Sequence, residues 1–205
     1  MRIPPHRLAL LCGIVVAMMA AAACDEKGGD GGDTTRADSV RSDSVVSSNL
    51  PPGRFEIPTA HTPAPDFYIT LPEGYTIKNN SRMPNDDFFI VRLDDPSLHD
   101  STAITPGFMR VYVGVNAQSG LDPARKHEER GVMIARMPVT WRLWSDTLPD
   151  GSPYYYREIA SSEFFAPLSP ELARSPLHLH VYIAGSDSMR VAELLAAAET
   201  LSLAP

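Results

Sequence analysis

Cysteine is almost absent from this chain of 205 residues: only Cys12 and Cys24 occur, and none follows them. Downstream of Cys24 the sequence therefore excludes an internal disulfide, a cysteine nucleophile and a cysteine-based zinc site. Long apolar runs are equally scarce, since the only one extends from Leu8 to Ala23. That run is shorter than the roughly 20 residues of a comfortable membrane span.

Basic residues are also few, with 18 Lys and Arg against 25 Asp and Glu and a net charge of −7. This balance gives no basic patch for nucleic acid, so we expect no nucleic-acid partner. Catalytic motifs are missing too. His127-Glu128-Glu129-Arg130-Gly131 begins like a zincin helix, but Gly131 stands where the second histidine belongs. We expect no enzyme activity and no cofactor.

The first two dozen residues carry the clearest pattern. Arg2 and Arg7 flank a basic start, the apolar run follows, and Ala21-Ala22-Ala23 leads into Cys24. This arrangement looks like a bacterial lipoprotein signal peptide, which implies removal of residues 1–23 and lipidation of Cys24. Ordinary cleavage after Ala23, or a retained anchor, are the alternatives. The resemblance implies a protein lipid-anchored to a membrane of the bacterial cell envelope, facing the periplasm or exterior.

Composition then divides the remaining chain in two. Residues 24–54 are rich in Gly, Ser and Asp, end near Pro51-Pro52, and have too few large apolar residues for a core. We expect a disordered tether there. Residues 55–205 form one domain's worth of chain. Without residues 1–23, 16 basic residues remain against 25 acidic ones, a net charge of −9.

Periodicity predicts strands followed by late helices within this domain. The predicted strands are Asp66–Leu71, Tyr75–Lys78, Asp87–Leu93, Phe108–Val115, Pro138–Ser145, Tyr154–Phe164 and Leu177–Ala184. Predicted helices cover 123–130 behind Asp122-Pro123, a short segment from Ser169, and Ser188–Leu201 with an apolar stripe. The order predicts an α+β domain, an antiparallel sheet with flanking helices.

The order of elements resembles the PsbP-like family. The matching marks are the early strand running into Leu71-Pro72-Glu73-Gly74-Tyr75, the long hairpin, and Leu177–Ile183 followed by a helix ending in Glu199-Thr200-Leu201-Ser202-Leu203. The likeness covers about residues 66–203. It implies an α/β/α sandwich and a binding or assembly role, and it carries over no functional residue.

One sheet face carries the candidate site. His178, His180 and Tyr182 alternate with apolar residues, so on a strand they point to the same side. Two histidines two residues apart suit a metal or small-ligand site, although a third ligand is not identifiable. Tyr112 alternates in the same way on its own strand, which makes it a further candidate for a ligand or partner face.

Aromatic and acidic clusters give two further hypotheses. Trp141 and Trp144 differ by three, so one should enter the core while the other, with tyrosines from Tyr154-Tyr155-Tyr156, lines a partner surface. Trp144 is taken as the candidate surface residue. A group of aspartates suggests calcium, although the spacing does not match an EF-hand. Its members are Asp86, Asp87, Asp94, Asp95 and Asp100.

Three hypotheses about function follow. The first is a membrane-tethered, non-enzymatic binding or assembly module for another envelope protein. The second is a small-ligand or metal-binding lipoprotein that uses the His178/His180 face. The third is a hydrolase without a recognisable motif, which requires a deep pocket with clustered polar side chains.

Overall fold

The structure, a computed structural model, describes residues 51–204. The expected signal peptide (1–23), Cys24 and the expected tether up to residue 50 lie outside the described residues. Arg54 already belongs to the first strand. Among the described residues, no helix combines the length and the apolar character that crossing a bilayer requires.

Ten strands and one α-helix make up the described part. The strands are β1 Arg54–Ile57, β2 Phe67–Thr70, β3 Tyr75–Asn79, β4 Asp86–Arg92, β5 Phe108–Gly114, β6 Glu128–Ile134, β7 Met137–Thr147, β8 Pro153–Ser161, β9 His178–Gly185 and β10 Ser202–Leu203. The helix α1 spans Ser188–Ala198. The carboxylate of Asp187 caps it by accepting the N–H groups of Met189 and Arg190.

The strands pair antiparallel into two sheets. A three-stranded sheet has the order β1-β2-β10, and a seven-stranded sheet has the order β3-β4-β5-β9-β8-β7-β6. Hairpins join β3 to β4 and make β6-β7-β8 continuous. Because β5 is the third strand of the large sheet and β6 forms its far edge, the connection between them must pass β9, β8 and β7.

The core lies on one face of the large sheet, called the inner face here. It is closed by α1 and the small sheet, and its largest fully buried side chains include Trp141, Phe67, Phe88 and Phe165. Strict alternation explains the arrangement, since β9 turns Leu179, Val181 and Ile183 inward while the residues between them face the opposite, outer face.

The predicted α+β sandwich with flanking helices is wrong. Strand accounts for 43% and helix for 11% of the described residues, with a single α-helix. That helix packs on the inner face, whereas an α/β/α sandwich needs a helical layer on the outer face as well. Loops cover part of the outer face instead.

The clearest element-level error is the helix expected at 123–130. Asp122 and Pro123 open a turn, in which Asp122 accepts the N–H groups of Ala124 and Arg125. The strand β6 then begins at Glu128, because pairing with β7 satisfies its backbone and overrides the local capping signal. The segment near Ser169 forms only a 3-10 turn at Leu172–Arg174.

The predicted hairpin and the terminal strand and helix are confirmed. Gly151, at φ 87°, lies in the turn between β7 and β8, a conformation that glycine adopts without strain. The two tryptophans of β7 face opposite ways as expected, with Trp141 in the core and Trp144 on the outer face.

Candidate functional site

The outer face of the large sheet brings all five sequence-predicted surface residues together. Tyr112 of β5 pairs with His180 of β9, and Tyr182 pairs with Glu158 of β8. His178 lies at the end of the same row of β9, and Trp144 pairs with Tyr156 two strands away. Tyr112, Trp144 and His180 are buried, whereas His178 and Tyr182 are half-buried.

The connection 115–127, called the strap, explains this burial. It leaves β5 at one end of the sheet and crosses the outer face to reach β6 at the far edge. The hydroxyl of Ser119 and the N–H of Gly120 both donate to Glu158, at 2.7 and 2.9 Å. Further along the strap, Arg125 forms an ion pair with Asp146 of β7.

Gly120 is required where the strap crosses β9. A Cβ at this position would lie 3.1 Å from Cε2 of the Tyr182 ring, closer than ordinary van der Waals contact. The missing side chain lets the backbone approach the ring closely enough for the Gly120 N–H to reach Glu158.

A buried histidine–carboxylate pair lies beneath the strap. Nε2 of His180 lies 2.8 Å from Oε1 of Glu158, and the two residues are 4% and 0% exposed. Burial by itself raises the pKa of the Glu158 carboxyl. The hydrogen bonds from His180, Ser119 and Gly120 outweigh that effect and hold its pKa below the usual value. Three donors thus keep a carboxylate ionised inside the protein.

Glu158 is the residue that the sequence interpretation missed. It alternates with Tyr154 and Tyr156 along β8, and strand alternation therefore places all three side chains on one face. The available signal was an acidic residue beside the apolar Ile159 in a predicted strand. Acidic side chains are almost never fully buried unless they are paired, so a partner was to be expected.

One aromatic ring from each of five adjacent strands crosses the outer face. The members of this aromatic row are Trp144, Tyr156, Tyr182, Phe108 and Phe89, from β7, β8, β9, β5 and β4. Trp144 stacks on Tyr156 with ring centroids 5.2 Å apart, and the next three centroid distances are 6.3, 6.0 and 6.2 Å. Four strand spacings make the row about 19 Å long.

Three tyrosine hydroxyls lie along this row without a hydrogen-bond partner among the described residues. Burial raises the pKa of Tyr154, Tyr156 and Tyr182. For Tyr182 the neighbouring Tyr156 and Tyr154 hydroxyls and the acids Glu158 and Asp146 raise it further. All three hydroxyls therefore stay protonated at neutral pH and offer neutral donors rather than acid–base groups.

The metal hypothesis gains no support from these residues. Nε2 of His180 is held by Glu158, so it is not free to bind a cation. Within residues 51–204 no three His, Cys, Asp or Glu side chains are grouped so that they could hold a metal ion.

The five aspartates of the calcium hypothesis are each engaged by protein groups instead. Asp86 accepts from His61 and Thr62, and Asp95 from Ser97 and Thr105. Asp87 pairs with Arg110, Asp94 pairs with Arg92, and Asp100 accepts from Thr102. The zincin-like segment His127–Gly131 runs into the edge strand β6 rather than forming a helix.

The hydrolase hypothesis required a deep polar pocket. An open depression of about 320 Å³ lies over β6, β7 and β8, where Glu129, Thr140, Arg142 and Ser161 supply polar groups. Its lining contains neither histidine nor cysteine, and Glu129 is the one carboxylate in it.

Comparisons with protein-family models, curated proteins and solved structures found no match to this chain. The resemblance to the PsbP-like family stays a prediction from the order of elements, and the described residues do not follow that family's α/β/α layering. Function must therefore be argued from the chain's own residues.

Proposed function

We propose that this protein is a lipid-anchored, non-enzymatic binding module of the bacterial envelope, and that it recognises another envelope protein through the aromatic row. The lipoprotein-like start at Cys24 supports the anchor, and the outer face supports the binding role. The single observation that carries the binding role is one half-exposed or buried ring on each of five adjacent strands.

Aromatic rings in this arrangement are unusual as a purely structural device. A sheet face turned toward solvent normally carries polar side chains, whereas aromatic side chains are enriched where proteins recognise partners. Phe89, Phe108, Tyr156 and Tyr182 are only half-buried, so the strap leaves part of each ring accessible. Arg110 lies over the Phe89 and Tyr112 rings and pairs with Asp87, which supplies a charged rim.

Site-specific photocrosslinking in envelopes tests this function. A photoreactive phenylalanine analogue replaces Phe89 in one variant and the exposed Met83, away from the row, in another. We expect a protein adduct of one defined mass at position 89 and none at position 83. Excess unlabelled wild-type protein should suppress that adduct, whereas excess Phe89→Ala protein should not. Equal adducts at both positions would contradict the proposal.

The three tyrosine hydroxyls without partners favour a small polar ligand as a second candidate, since each could donate one hydrogen bond under the strap's edge. In that case a low-molecular-weight envelope extract should raise the melting temperature of wild-type protein and fail to do so for Tyr154→Phe. If a protein is crosslinked at position 89 and the extract does not change the melting temperature, the two results together favour the protein partner over the small ligand.

A further inference from the structure

Three large apolar side chains are exposed at the end of the domain where α1 begins, called the helix-start end here. Leu93, Ile104 and Met189 are 64%, 48% and 74% exposed. Leu93 follows β4, Ile104 lies in the loop before β5, and Met189 occupies the first turn of α1. Each comes from a different segment, so their clustering is a product of the fold.

Contacts between their immediate neighbours bring these segments together. Asp94, next to Leu93, lies 3.4 Å from the guanidinium of Arg190, next to Met189. The carbonyl of Thr105, next to Ile104, accepts the N–H of Ser186 at the β9–α1 junction, at 3.2 Å. The three apolar side chains therefore share one end of the domain.

The described chain also enters beside this end. The carbonyl of Gly53 accepts the N–H of Leu71 at 2.8 Å, and three residues later the carbonyl of Gly74 accepts the N–H of Leu93 at 2.9 Å. Leu71 and Gly74 are three residues apart, so at most about 11 Å of chain separates them. The start of the described chain at Gly53 therefore lies near Leu93. Cys24 precedes Pro51 by 26 intervening residues, and a coil of that length has a typical end-to-end distance of roughly 30 Å.

Charges at the helix-start end largely compensate one another. Arg92 and Arg190 both contact Asp94, and Asp187 is used to cap α1. With a net charge of −9 after removal of residues 1–23, the protein has no reason to favour anionic headgroups. Contact with lipid at this end has to come from apolar side chains.

We propose that the helix-start end rests on the lipid bilayer, with Leu93, Ile104 and Met189 inserted among the headgroups. The proposal rests on the lipid anchor proposed above. Three apolar side chains hold a free protein only weakly, but a tether keeps the domain at an effective concentration in the millimolar range beside the surface. The outer face with its aromatic row then stands upright on the membrane and remains open to a partner.

Two exposed methionines provide a matched experiment. Met189 and Met83 are 74% and 75% exposed, and Met83 lies in the turn between β3 and β4 at the opposite end of the large sheet. In the full chain lipidated at Cys24, Met189→Cys or Met83→Cys supplies the only free thiol for an environment-sensitive fluorophore. Each protein is bound to phosphatidylcholine vesicles that contain nitroxide-labelled lipid.

We expect nitroxide quenching at position 189 to exceed that at position 83 at least threefold, and to be unchanged by added salt. Adding Leu93→Ser and Ile104→Ser should lower the quenching at 189 to the level at 83, with the far-ultraviolet circular dichroism unchanged. Equal quenching at the two positions on vesicle-bound protein would overturn this inference and leave the anchor intact. Protein that does not float with the vesicles would overturn the anchor, and the inference with it.

Discussion

At the scale of single residues, Glu158 determines how the outer face is organised. Its carboxylate is fully buried and collects hydrogen bonds from His180 on the neighbouring strand and from Ser119 and Gly120 in the strap. Sequence alternation identified His180 correctly as an outer-face residue. It did not identify the strap as a covering element, because nothing local to residues 115–127 indicates where they fold back.

Removing this carboxylate should destabilise the protein strongly. Glu158→Ala leaves the buried His180 imidazole and the strap donors Ser119 and Gly120 without their partner, so we expect a loss of about 3 kcal/mol in the free energy of unfolding. Urea denaturation at pH 7 measures it. Glu163→Gln, at an exposed position, should change the free energy by less than about 0.5 kcal/mol. A similar small effect for Glu158→Ala would contradict the buried-pair interpretation.

The same carboxylate predicts a pH dependence. The folded pKa of Glu158 lies below the ordinary glutamate value of 4.5, so its contribution to stability is complete above that value. As the pH falls through the lower folded pKa, both states bind the proton and the contribution disappears. The stability difference between wild-type and Glu158→Gln protein should therefore shrink as the pH falls below 4.5. A constant difference in urea titrations over this range would count against it.

Trp141 offers a second test at this scale. Its side chain is fully buried, yet Nε1 finds no acceptor among the described residues. Trp141→Phe loses buried volume but also removes an unsatisfied donor that costs roughly 1–3 kcal/mol. We expect a net change within about 1 kcal/mol, against a loss of about 4 kcal/mol for Trp141→Ala. Chemical denaturation of the two variants compares these values.

At the scale of elements, the hairpin between β6 and β7 carries backbone strain. Ala135 and Arg136 both have positive φ, 50° and 66°, in a two-residue turn where Asn-Gly is the favoured sequence. The exposed Arg136 is the better position for a substitution that relieves this strain, because Ala135 packs against the core and donates its N–H to the carbonyl of Leu201. Arg136→Gly should stabilise the protein by about 1 kcal/mol. Arg136→Ala removes the same charge without relieving the strain and should leave the melting temperature unchanged.

The strap should detach locally when Gly120 carries a side chain. A Cβ already crowds the Tyr182 ring, so Gly120→Val should break the hydrogen bond from Gly120 to Glu158 and free residues 115–127. Amide hydrogen exchange should then accelerate in the strap while β5 and β9 stay protected. Gly131→Val is the control, because a Cβ at Gly131 meets nothing within 4 Å. Accelerated exchange in both variants would point to a general loss of stability.

At the scale of the whole molecule, the sequence predicted the strands of the large sheet better than it predicted the layers that pack against the sheet. Alternation sufficed for β5 and β9, whose inward-facing side chains are buried in the core. The turn signal at Leu148–Ser152 sufficed for β8. Alternation failed for β6, whose residues are largely exposed and whose only support is pairing with β7. The fold class was wrong because the outer face is covered by irregular chain, which leaves no periodic signal.

The candidate site divides in the same way. Tyr112, Trp144, His178, His180 and Tyr182 share the outer face. Alternation predicted a common face for the three residues of β9, whereas it left open which tryptophan would face outward. The aromatic row depends on strand order, which places β9 between β5 and β8. Residues about 70 positions apart in the sequence are neighbours in this row, and no local sequence pattern indicates such a contact.

The described domain should fold without the segment that precedes it. Its core extends from Phe55 to Leu203, and both ends of this range belong to the small sheet. A protein that begins at Pro51 should therefore melt at the same temperature as the chain that begins at Cys24. Differential scanning calorimetry measures both. A clear drop on removal of residues 24–50 would show that this segment contributes to the folded state.

The central position of β5 has a consequence for biogenesis. As the polypeptide emerges, β3, β4 and β5 can pair at once, but the other edge of β5 has to wait for β9, some 70 residues later. Until then the sequence Phe108–Gly114 presents unpaired backbone beside apolar side chains, a template for intermolecular pairing. The free edge of β5 is therefore safe from capture by a second molecule only after β9 has been synthesised and has paired with it.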